Sequence, residues 1–192
     1  VYTLSGVVIA GGKAQRMSGV EKGLVLYKGQ SMAFWVAQAM EGLVKHVCLN
    51  VNRRFSDYQL FGYKLIQDGE AYAERGPLSG LWSALNQAST THILVAPCDT
   101  PNISSAAFAA LKVASQAQSE RIHCLESGSG LHPLHAIIPV QSGLQSLATF
   151  LDGGDRNSVM AYYREHGYDS VLWGVEGELL NVNYQEQIDS SV

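Results

Sequence analysis

Residues 1–23 read VYTLSGVVIAGGKAQRMSGVEKG. Val7, Val8 and Ile9 form a short apolar run of the kind that makes a strand covered on both faces. Gly11 and Gly12 follow at once, and then three cations, Lys13, Arg16 and Lys22. In an open α/β sheet a ligand sits beyond the carboxyl ends of the strands, which is where this turn falls. Glycine admits backbone angles that other residues avoid, and its missing side chain lets main-chain amides approach a phosphate closely. The three cations are placed to neutralise oxygens that those amides orient, so the expected ligand is a small anion. The spacing is neither GxGxxG nor GxxxxGK[ST], and neither a nicotinamide site nor a Walker-type ATP site is inferred.

Working outward, short apolar runs alternate with stretches of helical spacing. Residues 47–51, 63–66 and 93–96 read as strands, and 32–43, 78–88 and 108–113 as helices. That rhythm predicts βαβ units and a fold of the α/β class, a three-layer sandwich with a mostly parallel sheet. Pro77 suits the first turn of a helix and Ser104 its cap. Beyond residue 120 the pattern loosens. Strands at 121–125 and 134–138 flank the turn-rich SGSG at 127–130, helices follow at 142–151 and 158–166, and strands are expected at 170–173 and 179–182 before a last short helix near 185–188. Without a linker or an internal repeat, residues 1–192 are expected to form one domain.

The hydrophobic fraction of 46% against 16% charged residues is that of a folded globule rather than a disordered tail. A net charge of -4 argues against a broad nucleic-acid-binding surface and leaves small anionic ligands open. Cys48, Cys98 and Cys124 are odd in number, widely spaced and without a CxxC pair, which favours reduced thiols over a disulfide frame or a zinc knot. No run approaches the ~18 apolar residues of a membrane span, and the first residues lack a secretory pattern. The expectation is a cytoplasmic protein with neither nucleic acid nor membrane as partner.

Polar residues recur where strands end. Asp99 follows the run at 93–96, where a carboxylate can hold Mg²⁺ bridging nucleotide phosphates; the same position also suits a turn before Pro101. Asp68 stands likewise after 63–66, with Gly69 beside it as a turn signal. Asn50 and Asn52 bracket Val51, and Asn181 and Asn183 bracket Val182; such amides read a base or a ribose, bind a metal through the carbonyl oxygen, or satisfy a turn. Cys98 lacks an evident basic partner and reads as a small core group. His132 and His135 do not form HExxH, so hydrogen bonding is a better reading than zinc. Arg156, in turn-rich surroundings, is either a contact for a substrate phosphate or an exposed cation.

AGGKAQRMSGVEKG, LNVNRR, QDG, GPLSG, PCDTP, HPLHA and LLNVN occur in this order along the chain. With them the chain resembles the molybdenum cofactor guanylyltransferases of the MobA type, within the nucleotidyltransferases of Rossmann-like fold, over roughly residues 4–188. The resemblance implies transfer of GMP from GTP to the terminal phosphate of molybdopterin, generally molybdenum-loaded, with Mg²⁺ and release of pyrophosphate. It implies that Ala10, Gly11, Gly12 and Lys13 touch the nucleotide, that Lys22 contacts phosphate, and that Asn50, Asp68 and Asp99 bind the nucleotide, Asp99 also holding the metal; Arg16, from its placement after the glycines, is expected to offset phosphate charge with Lys22. His132 and Arg156, with Asn181 and Asn183, would lie toward the acceptor, in a half of the chain running from 120 to 183. A molybdoenzyme or a cofactor chaperone is the implied transient partner. The chain departs from the pattern at Glu21, where Asp is common, and in QDGEAYAERG at 67–76 and LHPLHA at 131–136. CMP transfer to the same pterin, transfer to a sugar phosphate, and a non-catalytic nucleotide-binding module remain alternatives.

Overall fold

The computed structural model of the chain describes residues 1–12, 16, 17 and 19–182, with the side chains of Arg16 and Met17 outside the description. Seven strands, β1 (Leu4–Ile9), β2 (Val47–Asn50), β3 (Lys64–Ile66), β4 (His92–Pro97), β5 (Ile122–Ser127), β6 (Gly130–Pro139) and β7 (Tyr168–Leu172), form one sheet in the order β7-β5-β6-β4-β1-β2-β3. β1 lies parallel to β2 and to β4, β2 to β3, and β5 to β7. β6 runs antiparallel to both of its neighbours. The mostly parallel sheet expected from the alternating runs is therefore present, with β6 as its reversed strand.

Helices cover both faces: α1 (Met32–Met40), α2 (Phe55–Gln59), α3 (Pro77–Gln87), α4 (Ser105–Ala117), α5 (Val140–Asp152) and α6 (Val159–His166). The period-two alternation of a strand sorts the core into two halves. Val8, Leu94 and Ala96 pack with Ala33, Val36 and Met40 of α1 and Phe108 and Leu111 of α4. Val7, Ile9, Ile93 and Val95 face the other way, onto Leu81 and Leu85 of α3, Leu147 and Phe150 of α5 and Tyr162 of α6. Because both faces are covered, β1 and β4 are buried at every residue, which is why Val7–Ile9 and Ile93–Ala96 within them read as unbroken apolar runs. Ser104 caps α4 as expected, its side chain accepting from the Ala107 amide, and Pro77 opens α3.

The chain visits β1, β2 and β3 on one side of the sheet before crossing to β4 on the other side of β1. That reversal opens a crevice beyond the carboxyl ends of β1 and β4. The register sets Ile9 opposite Pro97, so the turn after β1 and the residues after β4 leave the sheet at one level.

Two expectations need correction or restriction. Residues 179–182 are not a strand: Glu176–Leu179 is a 3₁₀ turn, and the chain continues without strand pairing to Val182. Leu179 and Val182 are apolar because they are buried, Leu179 in the α1/α4 half of the core and Val182 against Tyr27 and Met32. The short helix expected near 185–188 lies outside the described residues. No helix among the described residues is long and apolar enough to cross a membrane.

Candidate active site

At the carboxyl edge the turn after β1 meets the ends of β2 and β3. Asn50, the last residue of β2, accepts the Ala10 amide on its main-chain oxygen and donates its side-chain amide to Asp68 Oδ1 at 2.8 Å. Asn52 donates to Gly11 O at 2.8 Å and to Asp68 Oδ2 at 3.0 Å, and its Oδ1 receives the Asp68 amide at 2.9 Å. Both carboxylate oxygens of Asp68 are thus held by asparagines, and Gly11 is tied to the end of β3 through a single side chain. Among the described residues Asn50 Oδ1 is buried without a hydrogen-bond partner.

A cavity of about 620 Å³ opens above this cluster, lined by Gly11, Gly12, Asn52, Asp68, Gly76 and Ser79 among others. Its size falls within the range of small-molecule and cofactor sites. A larger hollow, about 740 Å³, lies at the opposite end of the sheet around Thr91, His92 and Val140 and holds none of the candidate residues.

Gly11 is required here by close approach. A Cβ on it would lie 2.6 Å from Asn52 Nδ2, an atom already committed to two hydrogen bonds. In Gly11→Ala the Asn52 bridge must give way. With two hydrogen bonds of about 1 kcal/mol each at stake, nucleotide affinity is expected to fall about 10- to 30-fold. Calorimetric titration with a nucleoside triphosphate checks this, and unchanged affinity would show that the bridge does not shape the pocket.

Beyond β4, Lys22 Nζ lies 3.6 Å from Asp99 Oδ2, with both side chains largely shielded from solvent, 13% and 9% exposed. Burial pushes the Asp99 carboxyl above its ordinary value, and the Lys22 ammonium pulls against that rise. Lys22 is positioned from behind by its neighbours. Glu21 is buried and pairs with Arg53, and Tyr58 donates to its second carboxylate oxygen at 3.3 Å. The departure at Glu21 is therefore an anchor: its carboxylate ties the Lys22 segment to the residues after β2 and to α2. Gly23 next to Lys22 admits the Tyr58 ring, since a Cβ there would lie 2.5 Å from the Tyr58 hydroxyl.

Two reactive side chains beside this pair are silenced. Cys98 is fully buried and burial pushes its thiol up, so it is no nucleophile at neutral pH. His135 Nε2 lies 2.9 Å from Thr100 Oγ1, and burial, with His132 nearby, lowers its pKa to about 3. It stays neutral and serves as a hydrogen-bond partner of the Asp99–Thr100 segment.

The remaining candidates are distributed as follows. His132 Nε2 lies 2.7 Å from Ser127 Oγ at the β5–β6 hairpin, and its ring is 6.1 Å from that of His135. Arg156 pairs with Glu165 at 2.5 Å and lies over the Phe150 ring, 4.0 Å from its centroid. Its described partners belong to α5 and α6, not to the cavity lining. Asn181 is exposed, and the Val182 amide beside it donates to Asp99 O, two residues past the end of β4, at 2.8 Å. Lys13, Asn183 and the side chain of Arg16 lie outside the described residues.

Sequence reasoning missed Arg53 and Ser79. Arg53 stands in the quoted LNVNRR stretch and lines the cavity, and Ser79, in GPLSG, is buried at its wall. The signal was present in both motifs, though nothing local distinguishes a lining arginine or serine from a solvated one.

Residues 6–168 match the model of the MobA-like NTP transferase domain. A molybdenum cofactor guanylyltransferase of Mannheimia succiniciproducens is 32% identical over 190 residues, 98% of each chain. One from Pasteurella multocida is 33% identical over 181 residues, covering 94% of this chain and 95% of that one. Among solved structures, the molybdopterin-guanine dinucleotide biosynthesis protein A of Archaeoglobus fulgidus superposes with a TM-score of 0.73 at 18% identity, over 97% of this chain and 96% of the other. At that identity the likeness is one of fold.

Proposed function

The chain belongs to the MobA-like NTP transferase family, and from that premise we propose that it transfers GMP from GTP to the terminal phosphate of molybdenum-loaded molybdopterin, releasing pyrophosphate. The observation that carries the reading is the Lys22–Asp99 pair, a cation and a carboxylate 3.6 Å apart at the level of the Gly11–Gly12 turn. One partner suits phosphate oxygens and the other a metal that binds them.

Magnesium fits the residues present. It is commonly bound through one or two carboxylates, with substrate phosphates and water completing its shell. Asp99 is such a carboxylate, buried and held above its ordinary pKa, and a divalent cation would relieve that cost. No cluster of three or more His, Cys, Asp or Glu side chains that would make an all-protein cage occurs among the described residues. When bound, the ion supplies charge neutralisation on the phosphates of the nucleotide.

The reaction then needs little covalent chemistry from the chain. An anionic oxygen of the acceptor phosphate forms a bond to the α-phosphorus of GTP, the bond from that phosphorus to the bridging oxygen breaks, and the electron pair leaves with pyrophosphate. No proton has to move and no protein nucleophile takes part, in keeping with a buried Cys98 and a neutral His135. The chain's work is positioning and charge stabilisation. Gly11 and Gly12 admit the nucleotide, Lys22 offsets developing charge on the leaving phosphates, and Asp68, fixed by Asn50 and Asn52, lines the nucleotide cavity. Arg16 and Lys13 add charge from the same loop. His132, Asn181, Asn183 and Arg156 are assigned to the acceptor side, and a molybdoenzyme or chaperone in the cytoplasm receives the product.

Mass analysis of the pterin after incubation with GTP or with CTP tests the assignment. The guanine dinucleotide is expected; the cytosine dinucleotide would replace the base, and an unmodified pterin with both nucleotides would overturn the transfer.

A further inference from the structure

One wall of the nucleotide cavity is the loop between β3 and α3, residues 67–76, with Ala73, Glu74 and Gly76 among the lining. Its first part is held at Asp68 by Asn50 and Asn52. Tyr72 and Glu74 both take left-handed backbone conformations, with φ of 57° and 61°, which side chains other than glycine adopt at a cost of order 1–3 kcal/mol each. Such conformations persist where the surroundings over-determine them.

The surroundings do so from two directions. On the inner side the buried Ser79 hydroxyl accepts the Arg75 amide at 2.9 Å and donates to Tyr72 O at 2.7 Å, joining the two ends of the turn. On the outer side, the described side-chain bonds of Tyr72 and Arg75 to distant residues run to the end of α5 and to its connection with α6. Tyr72 donates its hydroxyl to Asp152 Oδ1 at 2.7 Å. The Arg75 guanidinium donates to Leu151 O at 2.8 Å, to Gly154 O, and to Asn157 Oδ1 at 3.1 Å. The Tyr72 ring also stands edge-on to Trp82 of α3, with centroids 4.7 Å apart. Asp152, Gly154 and Asn157 themselves do not line the cavity.

We propose that Arg75 and Tyr72 are positioning residues for the nucleotide: anchored on the α5–α6 connection, they set how far the wall at 73–76 stands from the Gly11–Gly12 turn, and so set both nucleotide affinity and the choice between purine and pyrimidine. The inference rests on the reading of this cavity as the nucleotide site. Its consequence is that residues which touch no substrate, such as Asn157 and Asp152, govern nucleotide binding. The chemical centre at Lys22 and Asp99 is anchored separately, through Glu21 and through Val182, and is not disturbed by the tether.

The test measures Kd for GTP and CTP by calorimetry, and kcat and KM with magnesium and the pterin acceptor, for Asn157→Ala, the double variant Asp152→Ala with Asn157→Ala, Arg75→Met and Arg75→Lys. The expected result is a Kd and KM for GTP raised about threefold to fivefold in the single variant and about tenfold to thirtyfold in the double variant and in Arg75→Met. Their kcat stays within about twofold, and the preference for GTP over CTP narrows. Arg75→Lys, which keeps the charge and fewer donors, should recover part of the loss. Arg121→Gln, which removes the Arg121–Asp169 pair at the β5–β7 edge, controls for lost stability and should leave Kd unchanged. An unchanged Kd in folded Arg75→Met, a fall in kcat at constant KM, or an equal loss in Arg121→Gln would overturn the proposal. If the unsubstituted protein prefers CTP, the guanine assignment fails by itself and the tether is judged on CTP by the same shifts; absence of any nucleotide binding would overturn both.

Discussion

Lys22→Ala is expected to lower kcat for pyrophosphate release by about 100- to 1,000-fold, the range seen when a preorganised charge-stabilising group is removed from a transferring centre. The fold should survive, because Glu21 still anchors this segment to Arg53 and Tyr58. The substitution has a second signature. Lys22 opposes the burial that raises the Asp99 carboxyl, so without it that carboxyl rises further. Asp99 then protonates at higher pH, and the acid limb of the residual rate profile moves upward. Turnover near that of the unsubstituted protein, with an unmoved acid limb, would remove Lys22 from the chemistry.

Asp99→Asn should be at least as severe, a loss of about a thousandfold or more, because it removes the carboxylate assigned to magnesium. Half-maximal activity should require a higher magnesium concentration, whereas a loss of activity at an unchanged magnesium titration would defeat the metal assignment. Thermal stability gives an independent reading. A buried carboxylate held above its ordinary pKa is a cost to the fold, and the neutral amide does not bear it. The melting temperature of Asp99→Asn is therefore expected not to fall, and a marked drop would mean that the carboxylate serves mainly to hold the Lys22 segment.

The contrast between these two residues and their supports explains what was legible in the sequence. Ile9, Gly11 and Gly12, or Ala96 and Asp99, are joined through short-range patterns: a buried strand, then a turn, then a functional group at the sheet edge. Because β1, β2 and β4 are buried along their whole length, their composition alone marks them, and the order of the runs predicted the sheet. The supports have no such local sign. Glu21 meets Tyr58 across 37 residues, and Arg75 meets Asn157 across 82, through single hydrogen bonds whose partners are set by the packing of helices. A sequence shows an acid or an arginine at those positions and not its mate.

The misreading at 179–182 has the same origin. Leu179, Leu180 and Val182 make an apolar run that resembles a strand, but a segment docking two side chains into separate parts of the core has a similar composition. What distinguishes them is the Val182 amide spent on Asp99 O rather than on a neighbouring strand. That single bond brings Val182 beside Asp99 without strand pairing.

Guanylyl transfer is decided by magnesium-dependent pyrophosphate release from GTP, CTP, ATP and UTP, each measured with and without molybdenum-loaded molybdopterin. The expected result is release from GTP, dependent on the pterin and on magnesium. A folded protein that releases no pyrophosphate from any of the four, under conditions in which a characterised guanylyltransferase consumes the same acceptor, would contradict it.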